Sequence, residues 1–415
     1  MSLRDDAYEI INQALEVNMP QTAVREALAG HTFAGGIYLA AIGKAAWTMA
    51  KAAADELGGR IKKGVVITKY NHSLGDIPGL DIIEAGHPLP DENTVKGTRL
   101  AVEMAETLGK GDELLFLISG GGSALFEEPL PGASLNDIIC ISNRLLSCGA
   151  DIVEINTIRK RLSAVKAGRF ARTAAPAKVF AVVLSDVLGD RLDSIASGPA
   201  APDMSTSEDA GRILKKYGVD LNPAIRALID IETPKTADNV ETVITGSVSK
   251  LCLSVANAAK NLGYTPYILC TNLNCEAREA GRFAASLAAR AGCGLYGLQT
   301  PCAIILGGET VVHVKGAGKG GRNQELALAA AEGISGMKDT LIFSFGSDGT
   351  DGPTDAAGGM ADGGTAGILK DMGINISDAL DKNDAYNALK AAGGLIITGP
   401  TGTNVNDAAV ILKRN

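Results

Sequence analysis

The chain has 415 residues, a formal net charge of −8, 46% hydrophobic and 21% charged residues, and 50 glycines against 4% aromatics. That length exceeds what one ordinary core organises, so two domains are expected. The acidic balance, with no basic run or aromatic–basic stripe, argues against a nucleic-acid partner, and no apolar run approaches ~18 residues, which argues against a membrane span.

The start, MSLRDDAYEI, has no apolar leader pattern. Seven cysteines (Cys140, Cys148, Cys252, Cys270, Cys275, Cys293 and Cys302) form no CxxC pair. An odd number without that spacing fits buried thiols in a reducing cytoplasm better than a disulfide frame or a zinc site.

In chain order, an amphipathic helix over 5–17 is expected to pack on the first domain. Apolar runs predict strands over 37–42, 64–68, 81–85, 113–118 and 179–184, and a later set over 242–245, 265–269, 303–306, 341–344 and 394–398. Helical periodicity falls over 45–57, 94–108, 135–148 and 322–331. Such alternation predicts α/β architecture, with parallel sheets covered by helices on both faces. Ligands then belong at the carboxyl ends of strands, where loops meet helix N-termini. The polar stretch Glu232-Thr233-Pro234-Lys235-Thr236-Ala237-Asp238 suggests a boundary, giving domains 1–236 and 237–415.

Six stretches after the apolar runs carry candidate chemistry. Gly43-Lys44 sets a lysine near a helix N-terminus, where the macrodipole disfavours a cation. A bound phosphate or carboxylate would explain it, and so would a solvated surface lysine. Ser119-Gly120-Gly121-Gly122-Ser123 lets backbone amides approach an anion. It lacks the GK[ST] of a Walker A loop and the GxSxG of a nucleophile elbow. Asn156 to Gly168 holds four cations (Arg159, Lys160, Arg161 and Lys166) that could clamp a polyphosphate, although a charge run by itself reads as a solvated face.

Asp186 and Asp190 leave a strong apolar strand, a position suited to a general base or a metal ligand; helix capping is the plainer use. Glu309 follows Gly307-Gly308, and a glycine-rich loop then delivers Arg322 to a helix start, where an anion would offset the dipole. Asp348, Asp351 and Asp355 follow a further strand at short spacing, suited to Mg²⁺ or hydroxyls, or simply to an Asp/Gly turn. The four histidines show no HxxxH or HExxH spacing. His87, in Gly86-His87-Pro88, lines a loop and is not assigned a catalytic role.

The segments GKA, GHPLPDENT, SGGGSAL, NTIRKRLSAVKAG, LSDVLGDRLDSIASGP, GGET, GGRNQELAL and FGSDGTDGPTDAAG occur in that order over nearly the whole chain. Together they resemble the class II glycerate kinases, whose C-terminal half is the MOFRL domain. The resemblance implies a Rossmann-like first domain with a mostly parallel sheet, a smaller MOFRL-type α/β domain, and an active site in the cleft between them. It implies transfer of the ATP γ-phosphoryl to the 2-hydroxyl of D-glycerate with a divalent metal, Mg²⁺. It also implies that Lys44 and Arg322 act in catalysis or substrate binding.

On that basis Asp186 is the candidate base, with Asp190 as its substitute. Gly43, Ser119, Gly120, Gly121, Gly122, Ser123, Asn156, Arg159, Lys166 and Asp190 are candidates for binding substrate or nucleotide. Glu309, Asp348 and Asp351 are the candidate metal ligands. One departure, Ala167 where relatives often carry glycine, bears on a close backbone contact there. Glycerate and ATP are the expected partners of a cytoplasmic monomer or homodimer. A hydroxypyruvate reductase would need a GxGxxG fingerprint with an acidic residue about 20 positions on, which is not found. A non-catalytic sugar-phosphate-binding protein would leave the aspartates at strand ends unexplained.

Overall fold

The structure, a computed structural model, describes residues 2–293 and 297–415. It divides into two compact units, one of residues Ala23–Thr245 and the other of Met1–Thr22 with Gly246–Asn415.

In the unit Ala23–Thr245 the strands are β1 (Gly36–Ile42), β2 (Ile61–Lys69), β3 (Leu80–Ala85), β4 (Asp112–Ile118), β5 (Lys178–Leu184) and β6 (Val240–Gly246), in spatial order β3-β2-β1-β4-β5-β6. The pairs β2–β3, β1–β2, β1–β4 and β4–β5 are all parallel. This is the order of doubly wound dinucleotide folds, with its topological switch between β1 and β4. Near-continuous apolar strands are what a sheet covered on both faces requires. Along β1 and β4 successive side chains alternate between two cores, as a period of two dictates. Ala40, Ile42, Leu114 and Phe116 meet Ala101, Met104 and Ala105 of the helix Glu92–Glu106. Leu39, Ala41, Leu115 and Leu117 meet Met49, Ala50 and Ala53 of the helix Ala46–Leu57. A separate helical cluster gathers Ile138, Leu145, Ile158, Leu162, Leu214 and Ile225.

The second unit holds β7 (Thr265–Leu273), β8 (Cys302–Gly308), β9 (Thr340–Gly346), β10 (Gly358–Asp362), β11 (Leu395–Ile396) and β12 (Asp407–Lys413), ordered β11-β10-β9-β12-β8-β7. Here the expectation of a parallel sheet fails. Only the β7–β8 pair is parallel; β12 runs antiparallel to both β8 and β9, and β10 runs antiparallel to β9 and β11. The two strands absent from the sequence reading, β10 and β12, are the ones that make the sheet mixed. Gly358-Gly359-Met360-Ala361-Asp362 has little intrinsic strand preference. Its glycine is set by proximity: a Cβ on Gly358 would lie 2.0 Å from the Ser344 carbonyl oxygen. The apolar run of β12 lies at the sheet centre, between β8 and β9.

The first helix, Leu3–Val17, belongs to this second unit, contrary to expectation. It packs on the helix Val248–Asn261 and on β9 through a face that buries Ala7, Ile10, Ile11 and Ala14. Arg4 pairs with Asp362, and Arg414 reaches Asp6. An apolar stripe shows that a helix has a core to cover and leaves open which one.

The boundary also moves from 236/237 to 245/246. The stretch that looked like a linker is tied into the first unit, with the Thr233 hydroxyl donating to Asp203 and the Lys235 ammonium to the carbonyls of Asp203 and Ser205. Among the described residues no helix is long and apolar enough to cross a membrane.

Candidate active site

In the unit Ala23–Thr245, two turns at the carboxyl edge of β1 and β4 are laced together by Ser119. Its amide and hydroxyl both donate to the Ile42 carbonyl, at 3.0 and 3.1 Å, while its oxygen accepts from the Ala45 amide at 3.1 Å. The Lys44 amide donates to the Gly120 carbonyl at 2.9 Å. Gly43 has φ +111°, and a Cβ there would fall 2.3 Å from Ser119 Oγ, so only glycine serves.

Two of the three glycines, Gly120 and Gly121, lie beside candidate site residues, while Gly122 is buried. A Cβ on Gly120 would sit 2.3 Å from Asp186 Oδ2. One on Gly121, itself at φ +81°, would sit 3.0 Å from the His87 ring and 3.2 Å from Lys44 Cγ, and one on Gly122 would sit 2.9 Å from Ala196. Lys44, Asp186 and the glycine loop, expected separately, are therefore neighbours. Lys44 is half-buried, and among the described residues no carboxylate pairs with its ammonium.

His87, given no role in the sequence reading, belongs to the same cluster. Burial, reinforced by Lys44, Lys69 and His72, pushes its imidazole down to about 4. The sequence signal was its place directly after a predicted strand.

Beside the loop, Ser123 Oγ lies 2.7 Å from Ser197 Oγ, whose hydroxyl donates to Asn156 Oδ1 at 3.2 Å. Asn156 thus reaches the site through Ser197, a residue that the sequence analysis left unassigned. Ala196 and Ser197 have φ +51° and +61°, and Asp190 has φ +52°. Non-glycine residues in this region cost about 1–3 kcal/mol each and concentrate at functional turns.

The cationic run Asn156–Gly168 is neither a solvated face nor, in its lysine, a ligand clamp. Lys166 and Glu127 are both fully buried and pair at 3.1 Å, and the ammonium also donates to the carbonyls of Ser123 (2.9 Å) and Phe126 (2.8 Å). Those three acceptors use all of its donors. Burial lowers its pKa to about 8. Arg159 donates to the same Ser123 carbonyl at 3.0 Å. Both cations brace the glycine loop from within. Lys160 joins Asp193 and Asp203, and Arg161 donates to Thr157 and Ser205.

The second unit carries its own polar cluster. Arg322 opens the helix Arg322–Gly333, Glu309 follows β8, and Asp407 opens β12. The guanidinium grips Asp407 with two donors, at 2.5 and 3.0 Å, and Glu309 with a third at 3.0 Å. Burial opposes its charge, but those carboxylates hold it firmly protonated. Burial raises Asp407 to about 6; Arg322 pulls it back, while Asp351 and Glu309 add to the rise. Asn406 Nδ2 donates to Glu309 at 3.2 Å. Asp407 and Asn406 were missed; the only sign of them is Asn404-Val405-Asn406-Asp407 entering an apolar run.

The expected metal ligands do not form a cage. Asp351 caps the helix Arg322–Gly333, accepting from the amides of Asn323 (3.1 Å) and Gln324 (2.9 Å) and from Gln324 Nε2 (3.0 Å). The preceding Gly321 supplies no side chain for that purpose. Glu309 is held by Arg322 and Asn406, and Asp348 accepts from the Thr350 amide. Among the described residues no group of three or more His, Cys, Asp or Glu is arranged to hold a metal ion. Asp351 and Glu309 are thus engaged by protein donors rather than gathered around a common point.

An uncompensated lysine against a glycine loop at the switch point of a doubly wound sheet, with an aspartate across that loop, defines an α/β enzyme class that handles anions. The sequence families agree. Residues 6–230 match the family described as Domain of unknown function (DUF4147), and residues 302–407 match the MOFRL family. The chain is 54% identical over 409 residues to the D-glycerate 2-kinase of Thermotoga maritima, covering 99% of this chain and 98% of that one. It is 38% identical over 434 residues to the glycerate 2-kinase of Pyrococcus horikoshii, covering 99% and 98%. A crystal structure of the Thermotoga maritima glycerate kinase superposes with a TM-score of 0.96, covering 99% of each chain at 54% identity. The chain belongs to the glycerate 2-kinase family that combines the DUF4147 and MOFRL domains.

Proposed function

We propose that this protein is a glycerate kinase that transfers the γ-phosphoryl of ATP to the 2-hydroxyl of D-glycerate, giving 2-phosphoglycerate and ADP. The observation that carries the reading is the placement of Lys44 and Asp186 on either side of the Gly120–Gly121 turn, in a chain 54% identical to a D-glycerate 2-kinase. Phosphoryl transfer needs positioning and charge neutralisation more than covalent chemistry.

Lys44 supplies a mobile positive charge to the transferring group or to the glycerate carboxylate. The Gly120 and Gly121 amides cradle phosphate oxygens. Asp186 accepts the hydroxyl proton as the oxygen attacks, with Asp190 as its substitute. Arg322 is the second candidate cation, its guanidinium held by Asp407 and Glu309. Glu309 and Asp407 aim it. A divalent ion would accompany the nucleotide phosphates, as Mg²⁺ commonly does with one or two carboxylates beside it. The seven free cysteines suit a reducing cytoplasm.

³¹P NMR of the purified protein with D-glycerate, ATP and Mg²⁺ tests this directly. A 2-phosphoglycerate resonance is expected. A 3-phosphoglycerate signal keeps the kinase and overturns the hydroxyl, and no new phosphomonoester from folded protein removes glycerate as substrate.

A further inference from the structure

His87 has no part in the chemistry assigned above, yet its ring borders Gly121 and Lys44. It is half-buried, and among the described residues neither ring nitrogen is hydrogen-bonded. An imidazole beside the loop with no protein partner is available to a ligand. Its surroundings point to the class of that partner. Lys44 follows β1, Lys69 ends β2 and His72 lies just beyond it, and all three act on the ring as positive neighbours. The nearby carboxylates are committed elsewhere. Glu84 accepts from the His72 and Ser73 amides, and Asp91 takes Tyr70 and Thr94. Asp186 lies against Gly120, one residue along the loop. The Gly120 and Gly121 amides find no acceptor among the described residues.

We propose that His87 is a ligand-binding residue of this site, its neutral imidazole donating a hydrogen bond to an anionic oxygen held at Gly121 and Lys44. A neutral donor adds direction where more positive charge would only repel its neighbours. The anion has two possible sources, the glycerate carboxylate and a nucleotide phosphate, and this choice rests on the glycerate kinase reading. An arriving anion offsets the cations that keep His87 unprotonated. Binding must therefore raise the pH at which the ring titrates and draw a proton from solution below about 6.5, the ordinary histidine value.

The test is a histidine-ring NMR titration of the full chain, with the His87 signal assigned by its loss in His87→Gln. It is recorded free and with saturating D-glycerate, ADP or inorganic phosphate. The His87 midpoint is expected to rise by about one unit or more with the anion it contacts. A rise with glycerate alone identifies the carboxylate, and a rise with ADP and phosphate identifies the nucleotide side. A midpoint unmoved by all three overturns the proposal.

Steady-state kinetics give an independent readout. His87→Ala is expected to raise KM for that same substrate about tenfold or more, with a smaller change in kcat. His87→Asn, whose amide can still donate, should recover most of the loss. Unchanged KM values in folded His87→Ala, or an equal kcat loss in Ala and Asn variants, would overturn it. If glycerate is not phosphorylated at all but the midpoint still climbs with one of these anions, the kinase reading fails and the His87 assignment stands.

Discussion

The two units each place a candidate catalytic cation where strands end and a helix begins, but they treat it in opposite ways. Lys44 extends from a turn without an ion-pair partner among the described residues, and buried cations brace its loop from behind: Lys166 and Arg159 both hold the Ser123 carbonyl. Arg322 is itself held by Asp407 and Glu309, and a buried anion, Asp351, braces the helix start behind it. The bracing charge follows the backbone group that needs a partner. Carbonyls leaving a short turn call for ammonium and guanidinium donors, and the orphan amides of a helix N-terminus call for a carboxylate. A lysine that is free can follow a moving phosphoryl group, whereas a gripped arginine presents a fixed charge.

The largest way to break the comparison is to remove the brace in the first unit. Lys166→Met leaves Glu127 buried without its ion-pair partner and should cost about 3–5 kcal/mol in denaturant unfolding. The double variant with Glu127→Leu should recover most of that, because neither charge is then stranded. A single variant as stable as the parent would mean the loop does not depend on this pair.

Next come the two candidate cations. Lys44→Ala should lower kcat ~10²-fold or more at unchanged stability, since nothing in the fold depends on its ammonium. Arg322→Ala should lower kcat comparably, but it also strands Asp407 and should unfold more easily than the parent. Arg322→Lys should not restore full activity, because an ammonium cannot reproduce the two-donor grip on Asp407. If both alanine variants kept parental stability, the contrast between a free and a held cation would be lost.

A smaller effect separates helix capping from metal binding. Asp351→Ala removes the acceptor for two helix amides and should cost about 1–2 kcal/mol. Asp351→Asn keeps one acceptor oxygen and should cost less. The Mg²⁺ concentration giving half-maximal turnover should be the same in Asp351→Asn as in the parent. A marked increase would reinstate Asp351 as a ligand.

The first unit was far more legible in the sequence than the second. Its strands are apolar runs bounded by helices, so all six end within three residues of where periodicity put them, and Lys44, Ser119 and Asp186 follow those runs directly. What the sequence concealed there was burial. Arg159, Lys160, Arg161 and Lys166 look like a solvated stripe because partners such as Glu127 and Asp203 lie far from the relevant spacing in sequence. In the second unit, a glycine-rich strand and a last strand inserted at the sheet centre have no local signature, so Asp407, at the head of β12, was invisible as the partner of Arg322. Asp351 was visible as a carboxylate near a turn, but its use as a remote cap depends on a contact between segments 27 residues apart.

The smallest expected effect uses protons, and its sign differs between the units. His87 titrates at about 4 in the fold against an ordinary 6.5. Between those values the unfolded chain holds the proton and the folded chain does not, so acidification from 6.5 to 4 favours unfolding. Asp407 titrates at about 6 against 3.8. Between those values the folded chain holds the proton and the unfolded chain has lost it, so acidification over about 6 to 4 favours folding. In the parent the two trends oppose one another through most of that window. His87→Asn deletes only the first. Its Tm relative to the parent should therefore climb as pH falls from 6.5 to 4.5, by an amount limited by the partial exposure of His87. A Tm difference that stays constant with pH would show that the imidazole is not held neutral by its surroundings. The cationic rim around Lys44 would then be too well screened to distinguish it from the carboxylate-lined setting of Arg322.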